Sequence, residues 1–469
     1  MYYHLQKYVY CCSLKTLIFI YLIYISKSEN YYNMKIIILI YLLIQICICS
    51  ENSLRNLLNS QTVIGQIERT GKQLLTIKIN IGSNNQTFRA LIDTTSSFSW
   101  VGEKGSNLQI ENLYSPSESS SFKNITQQFE YEYLNKNKGK ISGYLAEDNI
   151  SINGNNFTLQ FGVVQSSSFF TDDFDCVLGI GSHYSKINLS PNFELNESQS
   201  LLYQLKQSKR IGNKTFSIDI TNNSPSLYIG AYTDEFEHKR NQTSFCNLRS
   251  KSDYRDYTPI WSCRMSHLLL GNATEENFIS NKIEVYSEVV FDSTSELILF
   301  PQKYYDNNKE MFNKNYYDCE YLISDSKRII RCKSLENVPQ LSFIFNGYAL
   351  TLDNNLLYKK YEDFYEMQMS FSDNAEDIVI GLPFFAQFQT VFDGEKNIML
   401  FYAKHRSMLN VRKFTDDKDF LFREHVALVI SMIGVFLIFL SIGAIMYMRF
   451  KRKQNEKKAL EQATYSKLI

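Results

Sequence analysis

The chain has 469 residues, 44% of them hydrophobic and 14% aromatic, enough apolar material for two or three folded domains. Its formal net charge of zero hides two basic ends around a body, residues 50–448, with 38 basic and 46 acidic side chains. An acidic body of this kind excludes a polyanion binder, and no nucleic-acid partner is expected.

Residues 1–49 read as an N-terminal extension and signal peptide: Met34 and Lys35 precede a largely apolar run that ends at Cys49, and Met34 is the expected start. Residues 50–71 form a short N-terminal segment. From Leu75 the apolar residues alternate through Ile77, Ile79 and Ile81, then a Gly-Ser-Asn-Asn turn leads to Phe88–Ile92, which predicts a hairpin running into Asp93. Further strands are predicted at residues 143–152, 157–164, 215–220, 227–230, 282–291, 341–345 and 388–402. Helices are predicted only at residues 199–206 and 301–311. The class is therefore mainly β, with an N-terminal lobe at 72–230 and a C-terminal lobe at 231–404.

Residues 405–425 are charged and lack an apolar period, as a stalk does. The 23 residues from Val426 to Met448 carry no charge, and at about 1.5 Å per residue a helix of that length crosses a hydrocarbon core of about 30 Å. Arg449, Lys451, Arg452 and Lys453 follow at once, which places the tail, residues 449–469, in the cytosol. The expected topology is a single-pass type I membrane protein of the secretory pathway. Ten Asn-X-Ser/Thr sequons, at Asn85, Asn124, Asn149, Asn156, Asn188, Asn196, Asn213, Asn222, Asn241 and Asn272, all fall between signal and helix, as a lumenal glycoprotein requires.

Five cysteines follow the signal. In an oxidising compartment Cys319 pairs with Cys332 and Cys246 with Cys263, leaving Cys176 as a buried thiol. Two short loops closed in this way stabilise the chain by roughly 3 kcal/mol each. The six histidines, His4, His183, His238, His267, His405 and His425, have no metal-ligand spacing, and neither a Gly-X-Ser-X-Gly elbow nor a His-Glu-X-X-His helix occurs. No metal site and no cofactor are expected.

The chemistry lies in a pattern that occurs twice. Leu91-Ile92-Asp93-Thr94-Thr95-Ser96 and Val290-Phe291-Asp292-Ser293-Thr294-Ser295 each place an Asp, a hydroxyl residue, Thr and Ser after an apolar pair. Val177-Leu178-Gly179 lies 86 residues after Asp93, and Val379-Ile380-Gly381 lies 89 after Asp292. One Asp-Thr or Asp-Ser pair is ordinarily a turn or a cap. Two copies at matched spacing imply duplicated half-sites, with one carboxylate each. Two carboxylates brought together share a proton, one serving as base and the other as acid.

Over residues 72–404 the chain resembles the pepsin family of aspartic proteases. The likeness rests on Phe88 through Asp93 to Trp100-Val101, on Asp292 to Pro301, on Phe174-Asp175-Cys-Val-Leu-Gly179-Ile-Gly181, and on Ile378-Val-Ile-Gly381-Leu-Pro-Phe-Phe385 through Asp393. It implies a bilobal, pepsin-like double β-barrel with a central cleft that holds an extended polypeptide substrate; a monomer is expected. Asp93 and Asp292 are the implied catalytic pair. Thr94 and Ser293 match hydroxyl residues that cross-brace the two loops, while Ser96 and Ser295 match hydroxyls that support the dyad. A flap closing on the cleft presents a Tyr, here Tyr133 or, two residues earlier, Tyr131, with Trp100 supporting it.

Three departures accompany the likeness. Thr95 and Thr294 both stand where the family has Gly, and a β-branched residue resists backbone angles that Gly tolerates. Glu296 replaces a small hydroxyl residue. Only about 20 residues separate the signal from the first predicted strand, too few for a basic inhibitory propeptide. The expectation is a membrane-anchored aspartic endopeptidase; the alternative is a catalytically silent surface glycoprotein that binds peptides or protein partners. Tyr465-Ser-Lys-Leu468 resembles a Tyr-X-X-apolar signal for a sorting adaptor, which adds an endosomal or lysosomal vacuole to the cell surface as an expected destination.

Overall fold

In a computed structural model the first strand opens earlier than the alternation at Leu75 predicts, at Val63–Arg69. Val63, Gly65 and Ile67 face inward and their neighbours face solvent; the side-chain-free Gly65 at a core position is what conceals this strand from a hydrophobic pattern. The strand takes up part of the segment between residues 50 and 71, shortening further what precedes the folded body. The structure describes residues 62–71, 73–132, 139–168, 173–181, 197–220, 224–230, 243–248, 261–271, 274, 280–316, 319–324, 326–403, 411–413, 447–452 and 455. The signal, Tyr133, most of the stalk, residues 426–446 of the apolar segment and the Tyr465–Leu468 signal lie outside them.

Residues 1–412 form one compact unit, which contains two lobes of sheet. A thirteen-stranded sheet runs from Thr243–Asn247 through Ile398–Ala403, Phe388–Asp393, Thr215–Asp219, Ser226–Ile229 and Val63–Arg69 into Leu75–Ile81 and Gln86–Asp93. It then continues through Cys176–Gly179, Trp100–Gly102 and Asn155–Ser167 to the long hairpin Lys140–Ile152 and Lys123–Glu132. The second sheet is centred on Lys282–Phe291, flanked by Ile378–Ile380 on one side and Ser262–Leu270 on the other. The protein is thus mainly β and bilobal, as expected from the alternating patterns.

Three predicted elements differ in detail. Residues 388–402 are two strands, not one. Asp393 accepts hydrogen bonds from the Glu395 and Lys396 N–H groups at 3.0 and 2.9 Å, and Asn397 adopts a φ of 53°, so the run folds back as a hairpin. The segment 301–311 begins two residues too early as a helix, because Pro301 ends the strand Ile298–Pro301, which pairs in parallel with Met369–Ser372; the helices are Lys303–Asp306 and Lys309–Asn315. The helix predicted at 199–206 is Leu201–Gln207, with Ser200 as its N-cap accepting from the Tyr203 N–H.

The boundary near residue 230 falls inside a sheet that both halves of the chain build. Phe388–Asp393, from the C-terminal half, pairs with Thr215–Asp219 from the N-terminal half. Cys246 is bonded to Cys263, tying this sheet to Ser262–Leu270, and Cys319 is bonded to Cys332 across the base of the hairpin Cys319–Ser324 and Lys327–Cys332. Cys176 is buried and unbridged, and burial holds its thiol well above the ordinary range, an inert core group. In the second unit, residues 413–469, residues 447–452 are helical. Among the described residues no helix is long and apolar enough to cross a membrane.

Candidate active site

Each motif Asp stands where a strand meets its parallel neighbour. Gln86–Asp93 pairs with Cys176–Gly179, Asp93 lying opposite Gly179, and the Asp93 carbonyl accepts from the Ile180 N–H at 2.9 Å. Lys282–Phe291 pairs with Ile378–Ile380, and the Asp292 N–H donates to the Ile380 carbonyl at 3.0 Å. The apolar-apolar-Gly segments therefore bind the strand edges from which the Asp loops leave. Their glycines are required by close approach: a Cβ on Gly179 would lie 2.6 Å from the Phe98 carbonyl oxygen, and one on Gly381 2.2 Å from that of Leu297. Phe98 and Leu297 each lie five residues past their Asp, so the same backbone packing recurs in both halves.

The two loops hold each other by reciprocal hydrogen bonds. Thr94 Oγ1 donates to the Phe291 carbonyl at 2.7 Å and accepts from the Ser293 N–H at 3.0 Å. Ser293 Oγ donates to the Ile92 carbonyl at 2.6 Å and accepts from the Thr94 N–H at 3.1 Å. All four groups are buried, so each bond satisfies polar atoms that water cannot reach. This brace brings the loops bearing Asp93 and Asp292 side by side, although 199 residues separate Thr94 from Ser293.

Thr95 and Thr294 do not strain the loops. Neither adopts a positive φ, so their β-branched side chains meet no left-handed backbone. The Thr95 N–H and hydroxyl both donate to Asp93 Oδ1, at 2.8 and 2.7 Å. Thr294 repeats this on Asp292 Oδ1, at 2.8 and 2.6 Å. Sequence reasoning treated these residues as obstacles; the side-chain oxygen two positions after a carboxylate was the signal that they donate to it.

Around this symmetric centre the partners differ. Ser96 Oγ and Ser295 Oγ each donate to the carbonyl two residues on, Phe98 at 3.3 Å and Leu297 at 2.8 Å, and Ser96 Oγ also shares a hydrogen bond of 2.8 Å with the Tyr131 hydroxyl. Tyr131 lies in the strand Lys123–Glu132 opposite Ile141, within a cluster of Leu91, Phe98, Trp100, Phe129 and Phe174. Burial pushes its phenol far above the ordinary range, which keeps it protonated. Tyr133, the first candidate from the sequence, lies outside the described residues; Tyr131, the alternative, makes the contact with Ser96. Trp100 is buried in that cluster, its ring 6.4 Å from Phe174. Glu296 is exposed at the surface of the second loop.

One tie between the lobes had no sequence signal beyond an isolated Trp. Trp261 packs edge-on against Phe216 and Phe392, and its indole N–H donates to the Ile180 carbonyl at 3.0 Å. Its own carbonyl accepts from the Phe291 N–H at 3.0 Å, so Trp261 connects the segment after Gly179 to the strand before Asp292.

A family model described as eukaryotic aspartyl protease matches residues 75–403 of this chain. The chain belongs to this family. Among its relatives within the aspartyl proteases, Renin-2 of Mus musculus is 27% identical over 342 residues, 68% of this chain and 77% of that protein. Renin of Rattus norvegicus is 26% identical over 296 residues, covering 59% of this chain and 64% of its own length. Vacuolar protease A of Arthroderma otae is 25% identical over 285 residues, covering 59% of this chain and 63% of its own length. All these alignments are at low identity, so the aspartyl protease family fixes the class of protein and leaves the individual reaction to the site.

Proposed function

We propose that this protein is an aspartic endopeptidase whose working groups are Asp93 and Asp292. The observation that carries the reading is the reciprocal brace between Thr94 and Ser293, which sets two identically held carboxylates on adjoining loops. Two such carboxylates share a proton. The ionised member takes a proton from a water molecule as that water attacks the scissile carbonyl carbon. The protonated member donates its hydrogen bond to the carbonyl oxygen, and the amide nitrogen is protonated as the C–N bond breaks. The retained donors at Thr95 and Thr294 support activity over a silent cleft, since each carboxylate keeps its backbone partner and gains a hydroxyl.

The body is lumenal in this reading and anchored by Val426–Met448, with the C-terminus in the cytosol. Every sequon Asn among the described residues, namely Asn85, Asn124, Asn149, Asn156 and Asn213, is exposed and open to glycosylation. A relative named a vacuolar protease supports an acidic compartment as the destination, reached by way of Tyr465–Leu468. Removing the last five residues is expected to retain the protein at the cell surface; an unchanged distribution would discard that signal.

The deciding experiment measures peptide hydrolysis by the purified full-length protein between about pH 3 and 7, alongside Asp93→Asn and Asp292→Asn. Both substitutions are expected to lower kcat by about a thousandfold or more. Cleavage that survives either change unaltered removes the reading, and an inactive wild-type protein leaves a peptide-binding glycoprotein in its place.

A further inference from the structure

We infer that Thr95 and Thr294 are positioning residues for the two carboxylates, each clamping one oxygen of its Asp with a side-chain hydroxyl in addition to a backbone N–H. The inference rests on the endopeptidase reading and adds a function for the two residues that depart from the family pattern. In each loop the hydroxyl lies within 2.7 Å of Oδ1 and points at the same oxygen as the residue's own N–H. Hydrogen bonds to a carboxylate are shorter and stronger than neutral ones, and these fall in the range expected of them. The repetition is itself informative. Two loops separated by nearly two hundred residues use the same atom of the same residue type on the same carboxylate oxygen.

Two donors on one oxygen define the carboxylate plane in a way that one donor does not, because rotation about χ2 of the Asp then breaks both bonds together. A threonine is suited to this task. Its branched Cβ restricts χ1, so less rotamer freedom is lost in holding the hydroxyl on target than with an unbranched side chain. The donated hydroxyl proton stays on Thr throughout; each Thr acts through its Asp and takes no part in bond making. With Oδ1 committed to the loop, proton exchange with water and substrate is assigned to Oδ2 of each Asp.

The test compares the double variant Thr95→Val, Thr294→Val with Thr95→Ser, Thr294→Ser and with the wild type, all as full-length protein. Valine keeps shape and branching and removes the hydroxyl; serine keeps the hydroxyl. The valine pair is expected to lose at least about tenfold in kcat with KM within about threefold, and to displace the pH–rate profile toward higher pH, since a carboxylate that loses a donor holds its proton more readily. The serine pair is expected to stay within about threefold of wild type, with the wild-type profile. Equal kcat and equal profiles for the valine and serine pairs overturn the inference.

A folding defect is separated by the single Val variants, by thermal unfolding, and by binding of a peptide carrying a non-hydrolysable hydroxyl isostere. If wild type cleaves nothing, the endopeptidase reading fails independently, and the pH dependence of isostere binding still decides the inference. A profile altered by valine and restored by serine supports the clamp; indistinguishable profiles remove it.

Discussion

The two Asp loops are built alike at their centres and differently at their edges. Asp93 and Asp292 receive the same pair of donors, their loops brace each other through Thr94 and Ser293, and each follows a strand held by an apolar-apolar-Gly segment. Yet Asp93 is 1% exposed and Asp292 6%, and the next positions diverge further, Ser97 being buried where Glu296 is exposed. Part of the difference comes from the long hairpin of the N-terminal lobe: both serines bond to their own loops, and Tyr131 adds a hydroxyl and an aromatic cluster at Ser96. Duplication thus supplies matched carboxylates, and the hairpin that carries Tyr131 supplies an asymmetry between their surroundings.

The strongest break in this comparison is at the glycines. Gly381→Ala drives a methyl group into the Leu297 carbonyl at 2.2 Å and Gly179→Ala into that of Phe98 at 2.6 Å. Each is expected to cost about 3 kcal/mol or more, Gly381 the larger, read from denaturant midpoints of the purified protein. Equal, small losses would show that the Asp loops yield to the added methyl.

A smaller effect is expected at the brace. Thr94→Val leaves the Ser293 N–H without its acceptor, and Ser293→Ala does the same to the Thr94 N–H, each buried. Each single change should cost about 1–3 kcal/mol, and the pair together less than the sum, because both act on one exchange. Strict additivity in a double-mutant cycle would mean that the two loops are held independently.

The smallest effect sharpens the asymmetry. Tyr131→Phe deletes the bond to Ser96 and should lower stability by about 1 kcal/mol, with a loss of kcat that Ser295→Ala does not share. Matching kinetics in the two variants would place the difference between the half-sites elsewhere than at this hydroxyl.

Much of the site was legible because its chemistry is local. Asp93, Thr94, Asp292 and Ser293 sit in short motifs, and the glycines at fixed distances announce the strand pairs that hold them. What escaped depended on register or on partners far along the chain. The sequence favours Tyr133 over Tyr131, yet it is Tyr131, opposite Ile141, that reaches Ser96, and Val63–Arg69 is hidden by a glycine on its inward face. Thr95 and Thr294 were visible as residues but not as donors, since side-chain direction is not encoded in a spacing. Trp261 is one of two tryptophans, and nothing in its neighbours in sequence points to Ile180.

The shared sheet bears on how the chain must fold as it is made. Thr215 and Asp393 are register partners 178 residues apart, so the edge of Thr215–Asp219 stays open until nearly the whole folded body has been made. Loop closure over that span is slow, and an unpaired edge is a template for the wrong partner. A chain ending before Phe388–Asp393 should aggregate rather than accumulate as a folded N-terminal half.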